Sequence, residues 1–454
     1  MNPTRGLRRI LARLFGVTPE GTDEGTTHSR LLRGSIGGLG LNITTTALYF
    51  LIGILLARLL GASAYGAYSY AISWSMVLGV VGGFGLNRLL VRNIASYHTH
   101  AKWGLLNGQL SWATKVALTA SIGAAAAAYA ISWLLRDHFH EGMLIPFWIG
   151  LLLLPITSLM HANQASLQGL HRVILGQTAG SVVQPVALLL LVSVAAALVS
   201  EAFNASYAVA LHVLSVALGW IVSSSLLRCH LPVPVRSAPP EWQRRVWLRS
   251  ALSMLLLGGL HIINSRTDII MLGSMLGAAA TGVYSVAVRG SELVMFVMAP
   301  VHTALAPTAS ALHARGERQQ LQRVITKSSH AIFLLSIPIV IVLSAFGYWF
   351  LILFGSEFLP GQSALTILCV GKLISLGLGP VALLLIMTGY EREAALGAGL
   401  SALLNIVLNA IMIPIWGLEG AATATAISTV CLAALMGVWV RNRLGIRADV
   451  LKLN

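Results

Sequence analysis

The sequence predicts an all-α polytopic membrane protein: twelve transmembrane helices in two six-helix lobes, related by a pseudo-two-fold axis along the membrane normal. Three observations carry this. The 454 residues are 56% apolar and only 10% charged, where a soluble domain carries about 25% charged residues. Apolar stretches long enough to cross a bilayer recur twelve times. A short motif also repeats at a constant offset in the two halves. With mean hydropathy at +0.79, so few polar groups could not cover a soluble fold of this size, which excludes a water-soluble enzyme. Disorder is excluded as well, because it requires low hydrophobicity.

Residues 1–34 form a basic N-terminal segment. In TRGLRRILARLFG, Leu7, Ile10, Leu11 and Leu14 recur at helical spacing opposite Arg5, Arg9 and Arg13. This is the pattern of an amphipathic helix on an anionic leaflet. No apolar core follows the basic start, so it does not read as a signal peptide.

A crossing needs about 20 mostly apolar residues. The first lobe, 35–228, holds spans at 36–57, 67–87, 108–134, 144–165, 174–199 and 206–227. The second, 249–441, holds 249–275, 281–303, 328–353, 364–388, 394–415 and 419–440. Lipid leaves backbone groups no partners, and the runs are too long for barrel strands, so all are helices. The stretch 229–248, with Pro232, Pro234, Pro239 and Pro240, is a cytoplasmic interlobe linker, and 442–454 is a cytoplasmic tail. This count places 24 of the 30 Lys and Arg on the side of the N-terminus. The positive-inside rule then puts both termini in the cytoplasm. The net charge of +15 is dispersed over these short loops and calls for no nucleic-acid partner.

The halves are related internally. From Leu60 to Ala71 against Leu276 to Ala287, eight of twelve positions are identical at an offset of 216. QGLHR at Gln168–Arg172 and TGYER at Thr388–Arg392 follow at an offset of 220. A repeat of six spans keeps both copies in one orientation, as in transporters with a site between two lobes.

Ionisable residues inside spans are costly and mark function by default. Six fall there: Lys115, Arg266, Asp268, Arg289, Glu292 and Lys372. Folding the hairpin near residue 279 sets Asp268 level with Arg289, and this pair is favoured. A neutral structural network is the competing reading. Lys115 and Lys372 lie about ten residues into their spans with no acid within a turn, as a visiting anion would require. Polar stripes at His161, Gln164 and Gln168, at Gln177, Ser181 and Gln184, and at Ser401, Asn405 and Asn409 serve interhelical bonding or a sugar-binding cavity. No GxxxxGK[ST] loop, metal-ligand spacing or nucleophile-and-base set is present. Hence no enzyme activity, cofactor or metal is expected. The three cysteines, Cys229, Cys369 and Cys431, read as apolar fillers.

The runs ILLARLLGASAYGAYSYA and GGFGLNRLLVRNIA, then NSRTDIIMLGSMLGAAATGVYSVA, LFGSEF and IPIWGLEGAATATAIS, give the chain its family likeness. Over residues 33–441 it resembles the Wzx-type lipid-linked oligosaccharide flippases of the multidrug/oligosaccharidyl-lipid/polysaccharide superfamily. The resemblance implies the two-lobe fold and the bacterial inner membrane. It implies movement of an undecaprenyl-pyrophosphate-linked oligosaccharide, an O-antigen, lipopolysaccharide or exopolysaccharide repeat unit, from the inner to the outer leaflet. It also implies membrane lipids and polysaccharide polymerase or assembly proteins as partners. On that reading Lys115, Arg266, Arg289 and Lys372 form a cationic substrate cavity, with Asp268 and Glu292 in coupling or gating. The runner-up is a cation-coupled multidrug extruder of the same superfamily, disfavoured because no acid lies inside a span of the first lobe. A scaffold subunit and a peptidoglycan-precursor flippase rank lower.

Overall fold

The computed structural model describes residues 25–83, 85–198 and 203–450, with side chains described from residue 40 onward except at 253 and 256–258. The basic segment around Arg5–Leu14 lies outside these. The described residues form helices and connecting turns, with no strand among them. In the first half run α1 (Gly25–Gly83), α2 (Leu86–Thr99), α3 (Trp103–Leu134), α4 (Leu144–Leu151), α5 (Leu153–Gly169), α6 (Val173–Thr178), α7 (Gln184–Leu198) and α8 (Ala205–His230). A short α9 (Val233–Ser237) lies in the connection. The second half holds α10 (Arg244–Leu276), α11 (Ala278–Met295), α12 (Met298–Ala314), α13 (Arg318–Ala345), α14 (Gly347–Ile352), α15 (Gln362–Gly377), α16 (Val381–Met387) and α17 (Glu391–Leu444).

Among the described residues, eight helices are long and apolar enough to cross a membrane, nine if the bent pair α11–α12 counts as one span. Two of the eight are double. Gly40–Gly83 covers 44 residues, roughly 66 Å at helical rise, twice the bilayer core. It turns back at Gly61 (φ 68, ψ 177), and α17 turns at Gly417 (φ 57, ψ −125). Their four arms, the other spans and the 33-residue α10 make twelve crossings. Large apolar side chains such as Leu134, Leu198, Leu190 and Leu334 stay exposed, as a lipid-facing belt requires.

Several helices break where the sequence dictates. Pro155 offers no N–H to the Leu151 carbonyl, and α4 gives way to α5 there. Pro300 likewise leaves the Phe296 carbonyl free, where α11 and α12 meet at 44°. The second crossing, expected at 67–87, breaks at the glycine-rich GGFG. Gly85 takes a left-handed φ of 67° ahead of α2, which no side chain adopts cheaply. The C-terminal stretch is not free. Val450 N–H donates to the Gly377 carbonyl (3.0 Å), and the Ser329 hydroxyl donates to the Ala448 carbonyl (2.7 Å).

The repeat is visible in space. Gly61 and Gly277, 216 positions apart, share one backbone state, the latter at φ 83, ψ −170. A Cβ on Gly66 would fall on the carbonyl oxygen of Ala278, and one on Gly282 on that of Ala62. Each contact is the other shifted by 216, the reciprocity a two-fold axis imposes. At this end the lobes are closed. Glu357 Oε2 accepts the Ala62 N–H (2.7 Å), and Arg58 Nε donates to the Leu353 carbonyl (2.8 Å). Tyr65 stacks edge-on to Phe358 (5.8 Å) and Phe50 to Phe354 (5.7 Å).

Candidate functional site

From the closed end the lobes diverge around a cavity of about 710 Å³. The first lobe contributes both arms of α1, the start of α2, and faces of α5, α7 and α8. The second contributes α10 and α11. Exposed Asn87 and Arg88 line it where α1 breaks, so it opens at the end opposite Gly61 and Gly277.

Of the six intramembrane charges expected to matter, Arg266, Arg289 and Glu292 line this cavity. Arg289 reaches from α11 across to the first lobe. Its Nη1 donates to the Tyr49 carbonyl (3.0 Å), and its guanidinium lies 5.8 Å from the centre of the Tyr65 ring. A cationic group on an aromatic face is attracted by the ring quadrupole. Gly53 makes room for it: a Cβ there would stand 2.5 Å from Nη1. Glu292, one turn further on, is exposed to the cavity. Ion pairs among the described residues occur only at Arg136–Asp137 and Arg443–Glu393. None of the cavity's charges is thus in direct ion-pair contact with another.

The favoured Asp268–Arg289 pair is not formed. Asp268, 3% exposed, accepts the Tyr284 hydroxyl (2.8 Å) and the Thr425 hydroxyl (3.3 Å) on Oδ2, and the Ile269 N–H (2.8 Å) on Oδ1. The hairpin turns at Gly277, two residues earlier than expected. Tyr284 therefore stands opposite Asp268, while Arg289 falls lower and faces α1. Asp268 is an internal fastener of the second lobe and lies off the cavity wall.

The two lysines also lie elsewhere. Lys115 is exposed, with Nζ 5.9 Å from the Trp242 ring of the linker. The linker runs along the start of α3: Glu241 N–H donates to the Gly104 carbonyl (2.9 Å) and Asn107 Nδ2 to that of Ala238 (2.9 Å). Depth counted from residue 108 thus overstates how far Lys115 sits in the membrane. Lys372 on α15 donates to the Ser291 hydroxyl (2.8 Å), inside the second lobe and behind the cavity wall. Ser401 and Asn405 bond the second arm of α17 through Ser428 (3.1 and 3.0 Å), the interhelical use of that stripe.

Sequence reasoning singled out Gln184 of the first lobe's wall but missed Tyr68 and His212 beside it. The Tyr68 hydroxyl lies 2.8 Å from His212 Nδ1, and Gln184 Nε2 donates to His212 Nε2 (3.4 Å). Three helices are tied there by neutral polar groups. Arg88 lies one residue beyond the second expected span, 67–87, so the sequence alone places it in a loop. The signal that locates it is GGFG, since a glycine-interrupted span is the best sequence pointer to a transport site.

The cavity can therefore hold an anion by three guanidiniums, Arg88, Arg266 and Arg289, against one carboxylate, Glu292. Hydroxyls and amides around them suit a polyhydroxylated group.

A family model described as polysaccharide biosynthesis protein matches residues 31–313, well over half of the chain. The chain belongs to the polysaccharide biosynthesis protein family. A second model, MatE, matches residues 251–411. These matches and the apolar helices place the protein among multi-pass membrane proteins. The "Probable low-salt glycan biosynthesis flippase Agl15" of Haloferax volcanii is 31% identical over 165 residues, 36% of this chain and 35% of that protein. The chain thus spans about a third of that relative's length. An inward-facing multidrug resistance MATE family transporter superposes with a TM-score of 0.72 at 16% identity, over 88% of this chain and 94% of the other. The lipid II flippase MurJ, in an inward closed conformation, superposes at 0.67 and 12% identity, over 90% and 87%. This family member has the two-lobe, twelve-helix fold of both.

Proposed function

We propose that the protein is a flippase that moves an undecaprenyl-pyrophosphate-linked oligosaccharide from the inner to the outer leaflet of the bacterial cytoplasmic membrane by alternating access. The observation that carries this is the sign of the interlobe cavity, with three unpaired guanidiniums and one carboxylate. A diphosphate diester is anionic, and arginine binds phosphoryl oxygens in a bidentate fork. The relation to a glycan-biosynthesis flippase supports the same cargo. The basic loops cluster at the cavity's open end, which the positive-inside rule assigns to the cytoplasm. On this reading the described conformation is the loading state. A polysaccharide polymerase or other assembly protein would receive the product.

The second reading is a cation-coupled multidrug extruder, favoured by the MatE match and the MATE-like fold. A cationic drug would meet a cavity of its own sign. To decide between them, glycolipid sidedness is assayed in inverted and right-side-out vesicles from cells lacking the protein, complemented with wild type or with Arg266→Gln/Arg289→Gln. The flippase reading expects cytoplasmic-leaflet accumulation that wild type clears and the double variant does not. Unchanged sidedness with reduced resistance to cationic compounds establishes the extruder instead.

A further inference from the structure

Beside the central cavity, α2 and α5 flank a second, open-mouthed chamber of about 360 Å³, within the size range of small-ligand pockets. Two helical stripes face each other across it. Asn87, Arg88 and Arg92 come from α2; His161, Gln164 and Gln168 come from α5. The spacings, four residues between the arginines and three then four on α5, put each set on one helix face. No carboxylate lines the chamber. The donors are also free: Arg92 Nε reaches only the adjacent Asn93 Oδ1 (3.2 Å), and Gln164 Nε2 is buried without a hydrogen-bond partner. A buried donor left unmade is costly unless a ligand satisfies it. Asn87, Arg88 and His161 line both spaces, so the chamber is a side room of the transport cavity. The close packing of Gly169 on Ile94 fixes the spacing of the two helices at its far end.

We propose that this chamber is a second anion site, taking the diphosphate of a prenyl-diphosphate lipid through Arg88, Arg92 and the free Gln164 amide, with Gln168 on the attached sugar, before the anion passes to Arg266 and Arg289. The inference rests on the flippase reading. Two guanidiniums with no acid between them select a phosphoryl dianion over a neutral glycan. The i, i+4 arginine pair supplies two forks for the two phosphates. A site at the mouth separates capture of the head group from the step that closes the lobes around it.

The test is a titration of the purified full chain with farnesyl diphosphate, with inorganic pyrophosphate and phosphatidylglycerol as parallel probes. Wild type is expected to bind two equivalents of farnesyl diphosphate. Arg92→Gln, which spares the Arg88 shared with the central cavity, should remove one, and Arg266→Gln/Arg289→Gln the other. Gln164→Leu, which keeps every charge, should weaken the first site about tenfold, the scale of one lost hydrogen bond to a charged group. Arg92→Lys should recover binding in part, which a merely unfolded variant could not. Inorganic pyrophosphate competing at that site confirms that the phosphates are what is recognised. A single equivalent lost only with Arg266 and Arg289 overturns this proposal and leaves the flippase reading standing. No diphosphate binding by wild type overturns both. Phosphatidylglycerol displacing the diphosphate at equal concentration makes the chamber a phospholipid site and overturns the proposal.

Discussion

Arg289 shows how one side chain can be specified by a residue that lacks one. Its guanidinium crosses from the second lobe to the Tyr49 carbonyl through a gap at Gly53. Gly53→Ala places a methyl 2.5 Å from Nη1, so the arginine must leave that bond. Its transport rate is expected to fall toward that of Arg289→Gln while protein abundance stays near wild type. Vesicle sidedness with immunoblotting measures both. Asp268 makes a complementary prediction. A double-mutant cycle between Asp268→Asn and Tyr284→Phe should give a coupling of about 0.5–3 kcal/mol, as for residues in direct contact. The cycle between Asp268→Asn and Arg289→Gln should be additive within about 0.5 kcal/mol. Thermal unfolding in detergent reports both. These residues also mark what was legible. Of the six charges that the apolar spans enclose in the sequence, three line the cavity. The sequence could not fix partners, because a turn placed two residues early shifts the pairing by four residues, about 6 Å of rise, and turns the arginine to a different neighbour.

At the scale of elements, twelve apolar runs were legible because lipid leaves a helix no alternative. The breaks were less so. Gly61 and Gly417 reverse the chain with a single non-helical residue each, and GGFG admits α2 to the cavity. All are backbone events that hydropathy averages away. The seam near Gly61 depends on two glycines. Gly66→Ala and Gly282→Ala each drive a Cβ into a facing carbonyl. Overpacking of this kind costs about 1–3 kcal/mol. The two variants should lower the melting temperature by similar amounts, since the contacts are symmetry mates. A clear inequality would show that the seam is not two-fold. Glu357 adds an asymmetric latch by capping the Ala62 N–H. Its counterpart under the offset of 216, Glu141, is exposed. Glu357→Ala should speed maleimide labelling of a cysteine placed at Val283, 6% exposed in this seam, in a background lacking the native cysteines. Labelling at the wild-type rate would assign closure to the aromatic packing alone.

For the whole molecule, the distribution of charge between lobe interiors and lobe interface decides which cations can work. Alternating access moves one lobe against the other. A group inside a lobe keeps its neighbours through that motion, so it contributes little to the difference between the two states. Only differential contacts shift such an equilibrium. Lys372, bonded to Ser291 within the second lobe, and Lys115, beside the linker tryptophan, belong to the first class. Arg266 and Arg289 belong to the second. Both lysines looked equally eligible in the sequence, because depth along a helix is readable there and the facing neighbour is not. Lys115→Ala and Lys372→Ala are therefore expected to leave glycolipid transport per molecule within about twofold of wild type, Lys372→Ala with a lower melting temperature. Arg266→Gln or Arg289→Gln should reduce transport about tenfold or more, the scale of one lost charge-assisted hydrogen bond, with melting little changed for Arg266→Gln. Rates normalised to abundance separate the classes. If Lys372→Ala abolishes transport while melting and abundance stay at wild-type values, α15 must open onto the path in the alternate state, and the division between lobe interior and interface drawn here would move to include it.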